Sequence, residues 1–386
     1  MKYALLLALV IAVSGCTMFS SNVTPTNAIV INSFDVDPQI LENTDVATFF
    51  LDVENVGGTT ASCVISELYG VESWYDITGQ SLAYLRPWRT SGVGFAYGNG
   101  QVSFSYWDPS NGFVSFSYSR QAGMGLGAYI GSAWSQFTGN FCNSASSWTQ
   151  FPEVKYIDSL KPAVPSQNKA GQSFTTQWQM RPPILPEGVA QNYAITARTS
   201  YLYETNGHMN IQVYNKAEQQ RRDVLGQSGS QPVAIEMSYA TPIQIVAKRG
   251  INPIVVNQQA SGYEIVNYLF EFQNTGNGWP LPFGSDVNNQ NGFMLATVEL
   301  SGPGASFYDC LGARSGTELF IPGDIVQSWV KLRADRTAPF GCTIAIDRNA
   351  WVDNPMGTAS LTFNLWYRYY TDAATSARVL GVQPNY

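Results

Sequence analysis

Charge is scarce in this chain. Of its 386 residues only 13% are Asp, Glu, Lys or Arg, about half the usual quarter. The balance is acidic, with a formal charge of −7 and a pI near 4.8. Nucleic-acid binding needs clustered lysine and arginine to neutralise phosphates, so it is not expected. Arg221-Arg222 and Lys248-Arg249 are the adjacent basic pairs beyond the leader, and they read as solvated loop or strand-end charges. Histidine occurs once, as His208 in the turn-like stretch Glu204-Thr-Asn-Gly-His-Met209. A Ser-His-acid triad would have to be built on that one residue. No two cysteines make C-x-x-C, which with a lone imidazole argues against zinc. Gly226-Gln-Ser-Gly-Ser230 lacks the last glycine of a nucleophile elbow, and Ser166-Gln-Asn-Lys169 matches S-x-x-K only in a Pro/Asn-rich loop. Asp35 and Asp37 lack the repeated oxygen ligands and glycine of a calcium loop. Phosphate-cradling glycine loops are missing too. Catalysis, a metal and a cofactor are therefore not expected.

Long apolar runs are also missing. The longest, Ala4 to Val13, falls well short of the roughly 20 residues that span a bilayer. Preceded by Met1-Lys2 and followed by Ser14-Gly15-Cys16, it has the form of a signal-peptide h-region, residues 1–15. The Val13-Ser-Gly-Cys16 string resembles the lipobox of prokaryotic lipoproteins. That resemblance implies lipidation of Cys16 and a membrane partner reached through the N-terminal lipid. Residues 16–27 then form a small polar tether, which carries the sequon Asn22-Val23-Thr24.

Setting Cys16 aside leaves Cys63, Cys142, Cys310 and Cys342. An even number in an exported chain indicates disulfides. Three connectivities exist; Cys63–Cys142 with Cys310–Cys342 is favoured because each pair stays within one half of the chain.

What the chain has in abundance is alternation. Thr48-Phe-Phe-Leu-Asp-Val-Glu-Asn55, Ala194 to Tyr203, Tyr268 to Gln273 and Leu361 to Tyr369 alternate with a period of two. With β-branched and aromatic residues between Gly, Pro and Asn turns, this predicts an all-β fold of antiparallel β-sandwiches. Three segments recur in the same order. Phe50-Leu-Asp-Val-Glu-Asn-Val-Gly57 matches Leu269-Phe-Glu-Phe-Gln-Asn-Thr-Gly276, after Pro38 and Pro253 respectively. Gly171 to Trp178 is matched with Gly323 to Trp329, and Tyr201-Leu-Tyr-Glu-Thr205 with Tyr367-Arg-Tyr-Tyr-Thr371. Ordered self-similarity indicates a duplication: a first repeat at 28–217, a polar linker at 218–239 and a second repeat at 240–386. The Val53-Glu-Asn-Val-Gly-Gly58 segment resembles the immunoglobulin-like CARDB-type modules of archaeal and bacterial exported proteins. The resemblance implies tandem immunoglobulin-like sandwiches with an adhesive or architectural role, and no catalytic residues.

The first repeat carries an aromatic- and glycine-rich insertion at about 82–150, where Asp108 and Arg120 are the only charges between Arg89 and Glu153. Val102-Ser-Phe-Ser-Tyr106 and Val114-Ser-Phe-Ser-Tyr118 flank an Asp-Pro-Ser-Asn-Gly turn, a hairpin pattern with serines on one face. Gly123 to Trp134 reads as small and flexible, since dense glycine disfavours an isolated helix. Two readings stand. Either Trp107, Tyr118, Trp134 and Trp148 form an exposed partner surface, or the aromatics fill a core beneath a widened sheet. Separately, Glu67, Glu72 and Asp76 lie among Tyr69, Trp74 and Tyr75, so Glu67, Glu72, Trp74 and Asp76 are candidate glycan contacts. A pair of carboxylates is also what a glycosidase requires. The resulting expectation is a lipid-anchored, extracytoplasmic structural or adhesive envelope protein. Its partner would be an envelope protein or a glycan, with self-association into a filament or array as an alternative.

Overall fold

The computed structural model describes residues 27–82, 94–98, 101–108, 111–119, 126–164, 167, 169–227, 229–281, 293–314 and 325–382. The leader, Cys16 and all of the tether but Asn27 lie outside them. In the first half the strands are β1 (Ile29–Asp37), β2 (Ile40–Glu42), β3 (Ala47–Asn55), β4 (Ala61–Tyr69) and β5 (Tyr75–Asp76). The insertion supplies β6 (Gly94–Gly98), β7 (Gln101–Asp108), β8 (Gly112–Ser119) and the helix α1 (Leu126–Ser146). Then follow β9 (Val154–Leu160), β10 (Ser173–Arg181), the long β11 (Ala190–Asn215) and the helix α2 (Lys216–Val224). The second half comprises β12 (Glu236–Met237), β13 (Ile243–Arg249), β14 (Ile254–Val256), β15 (Tyr263–Asn274), β16 (Trp279–Pro280) and β17 (Phe293–Ser301). It ends with β18 (Ala305–Cys310), β19 (Ala313–Arg314), β20 (Ile325–Lys331), β21 (Thr337–Asp347) and the long β22 (Met356–Leu380).

Alternating side chains give each sheet one apolar face, and burying those faces against one another makes sandwiches. Among the described residues the largest sheet runs β20-β17-β22-β11-β4-β9. One of its faces is covered by two smaller sheets, β1-β3-β10-β5 from the first half and β13-β15-β21-β18-β19 from the second. The core between them holds Phe49, Trp74 and Trp178 on one side and Phe270, Phe272 and Ile344 on the other. The chain is thus all-β in architecture, an assembly of antiparallel β-sandwiches with few helices.

The duplication is visible in the backbone. Val56 and Gly57 N–H groups donate to the Ala28 carbonyl, and those of Thr275 and Gly276 donate to the Pro242 carbonyl. Asn55 N–H donates to Gln172 O, and Asn274 N–H to Arg336 O. Asp37-Pro38 and Asn252-Pro253 are both cis. One matched pair of segments is corrected by the topology. β10 lies against β3 as β21 lies against β15, whereas β20 pairs with β17 as β9 pairs with β4. Gly171 to Trp178 therefore corresponds to the strand after Arg336, and its likeness to Gly323 to Trp329 reflects strand composition alone.

Nor are the repeats two sandwiches on a spacer. β11 and β22 pair from Ala190↔Leu380 to Tyr214↔Met356, joining both halves in one sheet. Tyr201 faces Tyr369, Tyr203 faces Tyr367, and Leu202 faces Arg368. Because Tyr201 and Tyr367 are the duplicated positions, a local two-fold axis passes between Leu202 and Arg368. The linker belongs to this fold: Asn215 caps α2 by accepting from Glu218 N–H, and β12 returns to pair with β11.

Candidate functional site

The insertion forms a cap on the other face of the central sheet. On β7, Val102, Phe104 and Tyr106 are buried, with Val114, Phe116 and Tyr118 of β8 packed beside them. These meet α1, whose Tyr129, Ile130, Ala133, Trp134, Phe137, Phe141 and Ala145 make one continuous apolar stripe. The three- and four-residue spacing of that stripe is what makes a glycine-bearing, uncharged segment helical here, because packing outweighs weak propensity. Phe104 stacks on Phe137 with centroids 4.6 Å apart, and Trp148 meets Phe141 edge-on at 5.7 Å. The same cluster includes Cys63 and Ile65 on β4, Leu202 on β11, Leu295 on β17 and Trp366 on β22. The cap therefore rests on strands of both repeats.

Polar contacts fix its position. Tyr129 Oη accepts from Val102 N–H at 2.7 Å and donates to Tyr118 O at 2.5 Å. Ser144 Oγ donates to the buried Asp108 Oδ2 at 2.5 Å. Cys142 on α1 is bonded to Cys63 on β4, and Cys310 is bonded to Cys342. This is the favoured connectivity.

Beneath the cap the two-fold position is asymmetric. Leu202 is replaced in the second copy by Arg368, which is buried. Arg368 Nη2 donates to Ser200 Oγ at 2.9 Å, and its guanidinium lies 5.7 Å from the Phe141 ring and 6.0 Å from the Trp148 ring. Burial pushes its pKa down, and the Glu67 carboxylate opposes that shift. Four residue pairs along the ladder, Arg198 donates twice to Asp372 at 2.8 Å and stacks 3.9 Å over the Tyr370 ring. Burial disfavours the Arg198 charge, but the Asp372 carboxylate outweighs it and raises the pKa. These charges are consumed in holding cap and repeats together.

Of the two readings of the insertion's aromatics, the core-filling one describes Trp134 and Trp148, and the partner-surface reading is corrected there. Trp134 is 8% exposed and Trp148 2%; both are core residues, Trp134 on the stripe of α1 and Trp148 in the 3₁₀ turn Ser147–Gln150 that follows it. Tyr118 is half-buried and stacks on Tyr129 at 5.5 Å. Trp107 pairs with Phe113 through the backbone, and its side chain lies outside the described residues. What the cap turns outward is largely hydroxyl-bearing, with Phe113 exposed on the same face: Ser103 Oγ bonds Ser117 Oγ at 3.1 Å, and Gln101 Nε2 donates to Ser119 Oγ at 3.2 Å.

The acidic cluster is likewise dispersed. Trp74 is fully buried edge-on to Phe49 and Tyr193. Asp76 Oδ1 accepts from Thr78 N, Thr78 Oγ1 and Gln80 N, which fixes a turn. Burial raises the Asp76 pKa and those bonds more than reverse it, leaving it lowered. Glu67 is buried and accepts from Tyr69 Oη, while Glu72 accepts from Gly70 N–H in an exposed loop. These side chains do not form one cleft. Among the described residues no three His, Cys, Asp or Glu gather as metal ligands, and no helix is long and apolar enough to cross a membrane.

No family model matches this chain, and no curated protein does either. Among solved structures, the type II cohesin dyad from the ScaA scaffoldin of Acetivibrio cellulolyticus is 10% identical, over 86% of this chain and 83% of that one, with a TM-score of 0.14. The MSCRAMM ACE of Enterococcus faecalis is 8% identical over 92% and 95%, with a TM-score of 0.11. Scores this low carry no inference about function.

Proposed function

We propose that this chain is a lipid-anchored, extracytoplasmic structural or adhesive protein of a cell envelope, which acts by presenting its cap to an envelope protein or glycan. The observation that carries the reading is the cap: an outer sheet face of serines and Phe113, stapled by Cys63–Cys142 to the duplicated sandwich. Two disulfides favour an oxidising compartment. Cys16 would supply the anchor, and a diacylglyceryl-type modification would be required, since one acyl chain binds membranes only marginally. A neutral hydroxyl surface can be desolvated without stripping water from ions, which suits contact with an uncharged partner. Fractionating cells that express wild type, Cys16→Ser, and Ser103→Lys with Ser117→Lys tests both parts. Cys16→Ser should leave the membrane fraction while remaining exported. The lysine pair should stay folded and anchored but lose binding to isolated envelopes. Membrane retention of Cys16→Ser, or undiminished envelope binding by the lysine pair, would overturn the corresponding part.

A further inference from the structure

One cleft exists because the cap exists. It lies where α1 crosses the start of β4 and the middle of β11, and its volume is about 270 Å³. Its rim is rich in hydroxyls: Thr59, Thr60 and Ser62 from the first repeat face Ser135 and Thr138 of α1. Thr138 Oγ1 is buried with no hydrogen-bond partner, a condition that is unfavourable unless a ligand or water supplies one. Trp134, largely buried, borders it on α1, and among the described residues Glu204 supplies its one charge. Glu204 is held by Tyr239 Oη, which donates to its Oε1 at 3.4 Å.

From this lining we infer that the cleft is a binding site for one neutral sugar ring, a terminal or free monosaccharide. Among the described residues no lysine, arginine or histidine lines it, so a phosphate or carboxylate ligand would meet Glu204 uncompensated. A carboxylate accepts two hydrogen bonds side by side, as a vicinal diol offers them, and the side-chain hydroxyls of Thr and Ser both donate and accept. The volume lies just under the range of about 300–1,000 Å³ common for small-molecule sites, which admits one ring and excludes an extended chain. The second copy has no counterpart, because Tyr370 stands where the first copy has Glu204.

Saturation-transfer NMR of the whole exported chain with methyl glucosides, galactosides, mannosides and N-acetylglucosaminides tests this, with glucuronate and tetramethylammonium as anionic and cationic controls. At least one neutral glycoside should bind saturably at millimolar concentration, and neither control should compete. Ser135→Trp, placed on an exposed helical position, should fill the cleft and abolish the signal. Glu204→Gln should weaken binding by about tenfold, the loss of one charge-assisted hydrogen bond. Silence from every neutral glycoside, unchanged binding to folded Ser135→Trp, or preferential binding of the ammonium ion would each refute the assignment.

Discussion

Four phenols meet at the two-fold position of the central sheet, and each is hydrogen-bonded there. Ile29 N–H donates to Tyr201 Oη, Thr59 N–H to Tyr203 Oη, Tyr367 Oη shares a bond with Thr205 Oγ1, and Tyr369 Oη donates to Asn274 Oδ1. Burial pushes the Tyr203 pKa up to about 12 and raises those of Tyr201 and Tyr367 further. An unfolded tyrosine titrates near pH 10, so the folded chain holds these protons more tightly than the unfolded one. The resulting stability is complete below pH of about 10 and is lost as the pH climbs toward and past 12. A titration followed at the phenolate absorbance should show exposed tyrosines ionising near 10 and a second group ionising only together with loss of the native circular dichroism. All tyrosines titrating near 10 in the folded state would contradict this. Tyr203→Phe removes the acceptor for Thr59 N–H and should cost about 1–2 kcal/mol in denaturant unfolding. At this scale the duplicated Tyr-x-Tyr motif was readable from spacing alone. That its two copies face each other was not, because strand pairing depends on contacts far apart in sequence.

The strands of the cap and its helix differ in how openly the chain declares them. β7 and β8 follow from Val-Ser-Phe-Ser-Tyr written twice around a turn, and the serine face emerged on the outside as the alternation requires. α1 was hidden by Gly123, Gly125, Gly127, Gly131 and Gly139, which read as backbone freedom. The signal that would have found it is Tyr129, Ala133, Phe137, Phe141 and Ala145, apolar at every fourth position. Trp134 turns inward with the period of that helix and Trp148 in the 3₁₀ turn just after it, so the core-filling reading of the two describes them. The cap's hold on the sheet should show in its disulfide. Cys63 and Cys142 are 79 apart in sequence, Cys310 and Cys342 only 32. Loop-closure entropy makes the first bond the stronger constraint on the unfolded chain, by about 0.8 kcal/mol. Replacing Cys63 and Cys142 together by alanine should therefore lower unfolding free energy by about 4 kcal/mol, slightly more than replacing the other pair. Limited proteolysis should then open α1 before any strand of the central sheet. Equal resistance of α1 in wild type and variant would show that side-chain packing alone holds the cap.

The two repeats are bound to each other by exchange. β2 of the first half pairs with β22 of the second, while β14 of the second pairs with β11 of the first. Together with the β11–β22 ladder, this buries each half's longest edge against the other, and a sheet edge left open is a template for unwanted pairing. Neither disulfide crosses between the halves, so only non-covalent contacts join them once the connection is cut. Gly226 offers the place to cut: it follows α2, has a positive φ and has open space where a Cβ would lie. A protease site inserted after Gly226 should be cleaved readily, and the two fragments should nevertheless co-elute as one particle, separating only in denaturant. Residues 240–386 expressed alone should behave differently, because β22 then lacks its partner strand and the cap contacts on Trp366 and Leu295 are gone; aggregation or partial folding is expected. Fragments that part under native conditions, or a stable monomer of the second repeat, would mean that each repeat folds on its own and that the shared sheet is a consequence of tethering instead of the basis of the fold.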